Sequence, residues 1–321
     1  DFTRGADEKE HAFLLSAKIA RPSLHTPVVA RSRLTTYVRA HATCKLLLVT
    51  GPAGSGKTTL LSEAFPERVA WVSLDVGDND LARFWRYILA ALQKAYPGVA
   101  LHVQTLLPTL QAETLEAFLI PLLNALASLS ERIVLVLDDY HLLINQAVHT
   151  SLVFFLEHAP EQLCLAIASR VPPPLPLSRL RARGDLAEVQ AADLRFTLPE
   201  AKELLALLTP CSLPEEELCK LLEYTEGWAT GLYLASLSRR EGRGGATSLT
   251  GAYEDQQAFF AYLTGEVLAY QPEDVRAFLL GSSILESFCT DLCDAVLLQG
   301  TSQALLQQLE REHLFLVPLD T

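Results

Sequence analysis

The chain of 321 residues contains no methionine, not even at its first position, so a processed or excised piece is expected. Its six cysteines (44, 164, 211, 219, 289 and 293) include no Cys-x-x-Cys pair, and several lie in apolar runs. That is how buried reduced thiols are placed, so a cytoplasmic compartment is expected. Cys289 and Cys293 stand one helical turn apart, but no histidine or second cysteine pair accompanies them, so a thiolate metal site is not expected. The eight histidines are scattered and none forms His-Glu-x-x-His, which excludes a zincin. No apolar run is long: the stretch from Phe118 to Leu129 is interrupted by Pro121, Asn124 and Ser128, short of the ~18–20 residues of a membrane helix. Asp1-Phe2-Thr3-Arg4-Gly5 carries no secretory signal. Cations are also scarce, 26 against 38 acids, for a net charge of −12. Phosphate contacts need clustered cations, so no nucleic-acid binding by this chain is expected.

Half of the residues are hydrophobic and mean hydropathy is +0.21, ample for a core in two or three domains. The most informative segment is Leu46-Leu47-Leu48-Val49-Thr50 running into Gly51-Pro52-Ala53-Gly54-Ser55-Gly56-Lys57-Thr58-Thr59. It is an apolar strand followed by Gly-x-x-x-x-Gly-Lys-Thr, the phosphate-binding P-loop. Glycines at 51, 54 and 56 let the backbone curl so that successive N–H groups face phosphate oxygens. Lys57 neutralises the β and γ phosphates, Thr58 offers its hydroxyl to Mg²⁺, and the helix beginning near Thr58 adds its positive end.

A second strand, Ile133-Val134-Leu135-Val136-Leu137, ends in Asp138-Asp139. In a P-loop protein this is the acidic strand: Asp138 belongs to the Mg²⁺ shell and Asp139 can polarise an attacking water. Taken singly, an Asp-Asp pair at a strand end serves equally as a turn or cap. Guanine recognition by Asn-Lys-x-Asp is absent and Asp138-Asp139-Tyr140-His141 replaces Asp-x-x-Gly, so ATP is favoured over GTP. A third strand, residues 163–169, ends in Arg170 before Val171-Pro172-Pro173-Pro174. Ligands sit at the carboxyl ends of strands in open α/β sheets, so Arg170 either senses the γ phosphate or solvates the strand end.

With Trp71-Val72-Ser73-Leu74-Asp75 and Leu186-Ala187-Glu188-Val189-Gln190 as two further strands, the chain alternates strand and helix. The expected fold is an α/β P-loop NTPase: a five-stranded parallel sheet with flanking helices. Leu81, Phe84, Trp85, Ile88, Leu89 and Leu92 recur at helical spacing and form a core stripe. Arg31, ahead of the first helix, is within reach of the base or ribose. Beyond residue 193 the pattern turns all-helical. Thr197-x-x-Glu200 and Ser212-x-x-Glu215 read as capping boxes, and Gly227-Trp228 as a junction between helices. Residues 238–248 are a Gly-rich polar linker. From Pro272 come three short helices and then the strand Leu314–Leu319, a winged-helix outline. That region holds two arginines against eight acids, a balance of −6, and cannot grip a DNA groove. The expected organisation is an arm (1–26), a nucleotide-binding domain (27–193), a helical domain (194–249) and a winged-helix domain (250–321).

Arg21-Pro22, Val28-Val29-Ala30-Arg31, the P-loop, Trp71–Asp75, Asp138-Asp139-Tyr140-His141, Ser169-Arg170, Gly227-Trp228-Ala229-Thr230 and Leu314-Phe315-Leu316 occur in one order. Over about residues 18–320 this set resembles the amino-terminal part of MalT-type regulators, STAND-class P-loop ATPases of the LuxR-type transcription regulator branch. The resemblance implies ADP-bound closure at rest, ATP- and inducer-dependent opening with self-oligomerisation, and slow hydrolysis. It implies inducer-sensing and DNA-binding modules outside this chain. It matches Arg31 to the base, the loop residues 51–59 to the phosphates, Thr58 and Asp138 to Mg²⁺, Asp139 and Lys57 to catalysis, and Arg170 to a sensor of the γ phosphate. Ala229 stands where many members of the class set a proline against adenine, and the class's winged-helix histidine has no clear counterpart. The competing readings are a constitutive AAA-type motor or chaperone and, with less support, a small-molecule kinase.

Overall fold

The computed structural model describes residues 14–23, 28–66, 68–97, 99, 111, 114–208, 214–233, 268, 271–285, 289–298, 300 and 302–311. The chain divides into two compact units, 1–26 with 30–50 and 57–193, and 27–29 with 51–56 and 194–321.

The first unit is built on a parallel sheet. β1 (Leu46–Thr50), β3 (Ile133–Asp138) and β4 (Leu163–Ser169) are buried along their whole length, as continuous Leu, Ile and Val runs covered on both faces must be. β2 (Ala70–Ser73) and β5 (Leu186–Val189) are shorter, and β5 alternates buried with half-buried residues. They are the edges: the strand order is β2-β3-β4-β1-β5, all parallel. Thr50 pairs with Ser169 and Leu137 with Ile167, which brings the carboxyl ends of β1, β3 and β4 to one level.

Helices α1 (Ser32–Ala40), α2 (Lys57–Ala64), α3 (Leu81–Ala95), α4 (Leu115–Ala127), α5 (Gln146–Glu157) and α6 (Leu177–Arg183) complete this unit. The stripe on α3 is core: Phe84, Trp85, Ile88, Leu89 and Leu92 are buried. Trp85 meets Phe118 of α4 and Phe155 of α5 edge-on, and its indole N–H donates to Ser151 Oγ at 3.0 Å. The apolar stretch that contains Pro121 forms one helix through the proline. Burial of Phe118, Leu119, Leu122, Leu123 and Leu126 along one side outweighs the single backbone hydrogen bond that proline forgoes.

Residues of the arm lie against the β2 edge, where Ser73 N–H donates to the Lys18 carbonyl at 2.8 Å. Asp75 and Asp78 form a reciprocal capping box around the short 3-10 turn Val76–Asn79. The Asp78 side chain has no exposed surface and accepts from the Lys18 ammonium, from Arg83 Nε at 3.1 Å and from the Asp75 N–H at 2.8 Å. Lys18 also pairs with Asp75 at 2.9 Å and stacks over the Tyr87 ring. Arg21 and Pro22 continue to α2, donating to the Ser62 carbonyl at 3.2 Å and accepting from Ser62 Oγ at 3.2 Å.

In the second unit, α7 (Leu198–Leu208) starts beside Thr197, whose N–H donates to Glu200 Oε2 at 2.9 Å as the capping box requires. α8 (Glu215–Thr225) begins at Glu215 with Pro214 as its cap. Glu215 is therefore the first helical residue and not the third, so the second expected capping box does not form; Ser212 lies outside the described residues. Val29, Ala201, Leu204, Leu218, Leu221 and Leu232 close an apolar cluster around these helices. α9 (Glu273–Ser282), α10 (Thr290–Leu297) and α11 (Ser302–Arg311) supply the three expected short helices. The strand expected at 314–319 and the linker at 238–248 lie outside the described residues. Among the described residues no helix is long and apolar enough to cross a membrane.

Breaking a buried pair leaves an uncompensated charge, which costs about 3 kcal/mol or more. Asp78→Asn is therefore expected to lower the stability of the first unit by about that amount, read as a shift in the urea midpoint at constant slope. Substitution of the exposed Glu131, which pairs with the exposed Arg68, is expected to shift it by less than about 1 kcal/mol.

Candidate nucleotide site

β1 delivers the chain into the loop Gly51–Gly56, which leads directly into α2. Gly54 and Gly56 adopt φ of +68° and +86°, a region that a side chain disfavours, so these two positions need glycine. A turn closed by Ser55 N–H to the Pro52 carbonyl at 3.4 Å tightens the loop. The Ser55 hydroxyl is buried without a hydrogen-bond partner among the described residues. A buried hydroxyl is costly when unpaired, and a phosphate oxygen is the acceptor that a loop of this kind is shaped to bring.

Lys57 opens α2 and is 7% exposed. Burial pushes its ammonium down to about 8; Arg170 acts in the same direction, while Asp139 and Asp138 oppose it. Thr58 donates to Asp138 Oδ1 at 3.2 Å, which joins the loop's helix to the end of β3. Burial, and then the neighbouring Asp139 carboxylate, raise Asp138 to about 6, against the Thr58 hydroxyl, the Asp139 N–H and Lys57. A hard divalent cation that takes one hydroxyl and one carboxylate and draws its other ligands from water and phosphate fits this pair. Among the described residues no group of three or more His, Cys, Asp or Glu side chains could hold a metal by itself.

Asp139 has φ +57°, left-handed for a residue with a side chain, a strain of about 1 kcal/mol or more. Its surroundings hold it there. The Asp139 N–H donates to Asp138 Oδ1 at 3.1 Å, the 3-10 turn Tyr140–Leu142 follows, and the buried Tyr140 hydroxyl bonds to His149 Nδ1 at 2.9 Å. The turn brings His141 back over the site with Nδ1 3.9 Å from Asp139 Oδ1. Burial, with the cations of Arg170 and Lys57, pushes His141 down to about 3, so its imidazole is neutral near pH 7. Its Nδ1 is buried and has no hydrogen-bond partner among the described residues. Arg170 follows β4 directly, where Ser169 Oγ bonds to the Val171 carbonyl and bends the chain away from the sheet.

Lys57, Thr58, Asp138, Asp139 and Arg170, separated by up to 113 positions in sequence, thus gather within the first unit at the carboxyl ends of the strands. Arg31 is buried at the start of α1 and, with Arg39, opposes the burial that raises the Glu63 carboxyl. Thr59 lies one turn before Glu63 on α2. Three residues carry no signal of their own in the sequence. His141 stands beside Asp139, and its orientation depends on the left-handed Asp139. In the second unit, Trp228 Nε1 donates to the Ala53 carbonyl at 2.9 Å and Thr230 Oγ1 to the Gly54 carbonyl at 3.0 Å.

Residues 30–168 match the AAA ATPase domain and residues 264–321 match the MalT winged helix domain. The chain is 35% identical over 311 residues to the HTH-type transcriptional regulator MalT of Serratia proteamaculans, covering 96% of this chain and 34% of that protein. It is 34% identical over 313 residues to the same regulator of Cronobacter sakazakii, with the same coverage. The chain spans about a third of the length of these curated relatives. A STAND protein with a tetratricopeptide repeat sensor from Pyrococcus horikoshii superimposes with a TM-score of 0.51 at 18% identity, over 83% of this chain and 36% of that one. That likeness concerns the fold. Along nearly its whole length the chain is thus similar to MalT regulators, with a match to an AAA ATPase domain ahead of a match to a MalT winged helix domain.

Proposed function

We propose that the chain is the ATP- and ADP-binding switch of a MalT-like, LuxR-family transcription regulator. The observation that carries this reading is the Thr58 to Asp138 contact at 3.2 Å beside the buried Lys57, because it joins the phosphate loop's helix to the acidic strand. The loop residues Gly51 to Thr59 hold the phosphates. Arg31 lies toward the base and ribose. Thr58 and Asp138 would hold Mg²⁺, which would supply charge neutralisation to the phosphates. Asp139 orients and polarises the attacking water, the neutral His141 holds its unpaired nitrogen toward the same water, and Arg170 faces the γ phosphate. Phosphoryl transfer needs chiefly positioning and electrostatics, which this set provides.

Hydrolysis is slow and serves to reset the switch. ADP belongs to the closed resting form, and ATP favours an open form that self-associates. A nucleotide shifts such an equilibrium only by its difference in affinity for the two forms. Inducer and promoter DNA are bound by modules outside this chain. The winged-helix match favours a DNA contact within the chain, but the balance of −6 over residues 272–321 opposes it. No retardation of duplex DNA at 100 mM salt is the expected outcome.

The AAA ATPase match also supports a second reading, a constitutive AAA-type ATPase. Chromatography of the nucleotide released on denaturation separates the two. Near-stoichiometric, slowly exchanging ADP supports the switch; an empty site with fast ATP turnover supports the constitutive enzyme and overturns the switch. Lys57→Ala is expected to abolish nucleotide retention, and a variant that still co-purifies with nucleotide refutes the site. Asp139→Asn is expected to bind ATP nearly as the parent does while losing about a hundredfold or more in single-turnover hydrolysis. Unchanged turnover removes Asp139 from catalysis.

A further inference from the structure

The second unit contains both the P-loop residues Gly51–Gly56 and the helix junction around Gly227. After α8 the chain passes through two left-handed residues, Glu226 at φ +48° and Gly227 at φ +70°. A Cβ on Gly227 would stand 2.8 Å from the Phe196 carbonyl oxygen, and one on Gly231 would stand 2.9 Å from the Trp228 ring. The two glycines therefore let residues 227–231 fold tightly around Trp228. From there three donors reach two adjacent P-loop carbonyls. Trp228 Nε1 donates to Ala53 O at 2.9 Å, Thr230 Oγ1 to Gly54 O at 3.0 Å, and the Thr230 N–H to Gly54 O at 3.2 Å. The Ala53 methyl packs in an apolar cluster with Val275, Phe278, Cys293 and Leu309.

A trans peptide is planar, so its C=O and the following N–H point in opposite directions. Fixing the Ala53 carbonyl fixes the Gly54 N–H, and fixing the Gly54 carbonyl fixes the Ser55 N–H. The hydrogen bonds also polarise each peptide and make its N–H a better donor. The tryptophan distinguishes this contact from incidental packing. The indoles of Trp71 and Trp85 bond to hydroxyls of Ser73 and Ser151 within the first unit, whereas Trp228 spends its only donor on the loop backbone.

We propose that Trp228 and Thr230 are positioning residues of the phosphate-binding loop. From behind, they fix the two peptide planes that carry the Gly54 N–H, which faces phosphate, and the Ser55 N–H, which closes the loop turn onto the Pro52 carbonyl, so nucleotide retention depends on the seating of the 227–231 junction. Neither side chain touches the nucleotide. This inference rests on the nucleotide-binding reading, and its test separates the two.

The probe is N-methylanthraniloyl-ADP with Mg²⁺, released from the purified chain in a stopped-flow chase with unlabelled ADP. Trp228→Phe keeps the ring without its donor, and Thr230→Val keeps the shape without its hydroxyl. Each is expected to speed release about three- to tenfold, the value of one net hydrogen bond. Thr230→Ser, which retains the hydroxyl, is expected to release at the parent rate. Unchanged release in Trp228→Phe and Thr230→Val, or release from Thr230→Ser as fast as from Thr230→Val, overturns the proposal. If the parent chain binds no ADP, the nucleotide reading itself falls. Amide exchange at Gly54 and Ser55 in the free protein then decides the clamp: faster exchange in Thr230→Val supports it, and equal exchange overturns it.

Discussion

The lysine at the head of α2 sets the terms for everything around it. A primary ammonium that is 7% exposed has lost most of its hydration, and Arg170 adds a second cation to its surroundings. Asp138 and Asp139 return part of that cost, but one of them is itself buried and raised to about 6. In the function proposed above, a nucleotide's phosphates would answer the two cations and its divalent cation would answer Asp138. Among the described residues the Ser55 hydroxyl and the His141 Nδ1 are buried without a hydrogen-bond partner, and unpaired buried polar atoms cost stability until a partner arrives. Functional sites are where local rules are broken and the remaining fold bears the expense.

The parts of this arrangement that could be read in the sequence are those carried by short, contiguous patterns. The runs 46–50, 133–138 and 163–169 are too apolar to be anything but strands buried on both faces. The P-loop declares itself because its glycines have conformational reasons: Gly54 and Gly56 are at positive φ. The stripe on α3 was legible through its period.

What could not be read depends on residues far apart or on backbone that no propensity foretells. Lys18 and Asp78 are 60 positions apart, and neither carries a motif. Trp228 reads as a helix-opening aromatic; only the folded chain shows its donor on a carbonyl 175 positions away. His141 was visible as a letter beside Asp139, but its place over the site follows from a left-handed aspartate, a conformation for which the sequence offers no cue. Pro121 and the start of α8 show the reverse case, in which local signals were outvoted. A proline was accommodated because five apolar side chains around it were buried, and α8 starts at Glu215 with Pro214 as its cap in place of the spacing expected from Ser212.

The strained backbone at Asp139 in the first unit and the donors to Ala53 and Gly54 in the second are each cases of direction imposed by the surroundings. A catalytic carboxylate and a row of N–H groups are useful only when their directions are set before the nucleotide arrives, because reorganising them during the reaction would consume the stabilisation they provide. On the acidic side, direction is set by a buried tyrosine and histidine that pin the turn after Asp139. On the loop side, glycines supply the required φ angles but also freedom to leave them, so direction must be imposed from outside the loop. In the inference drawn above, the 227–231 junction is the element that does so. A loop held this way would report on the element that holds it: unseating the junction would weaken the phosphate contacts without altering any residue that makes them.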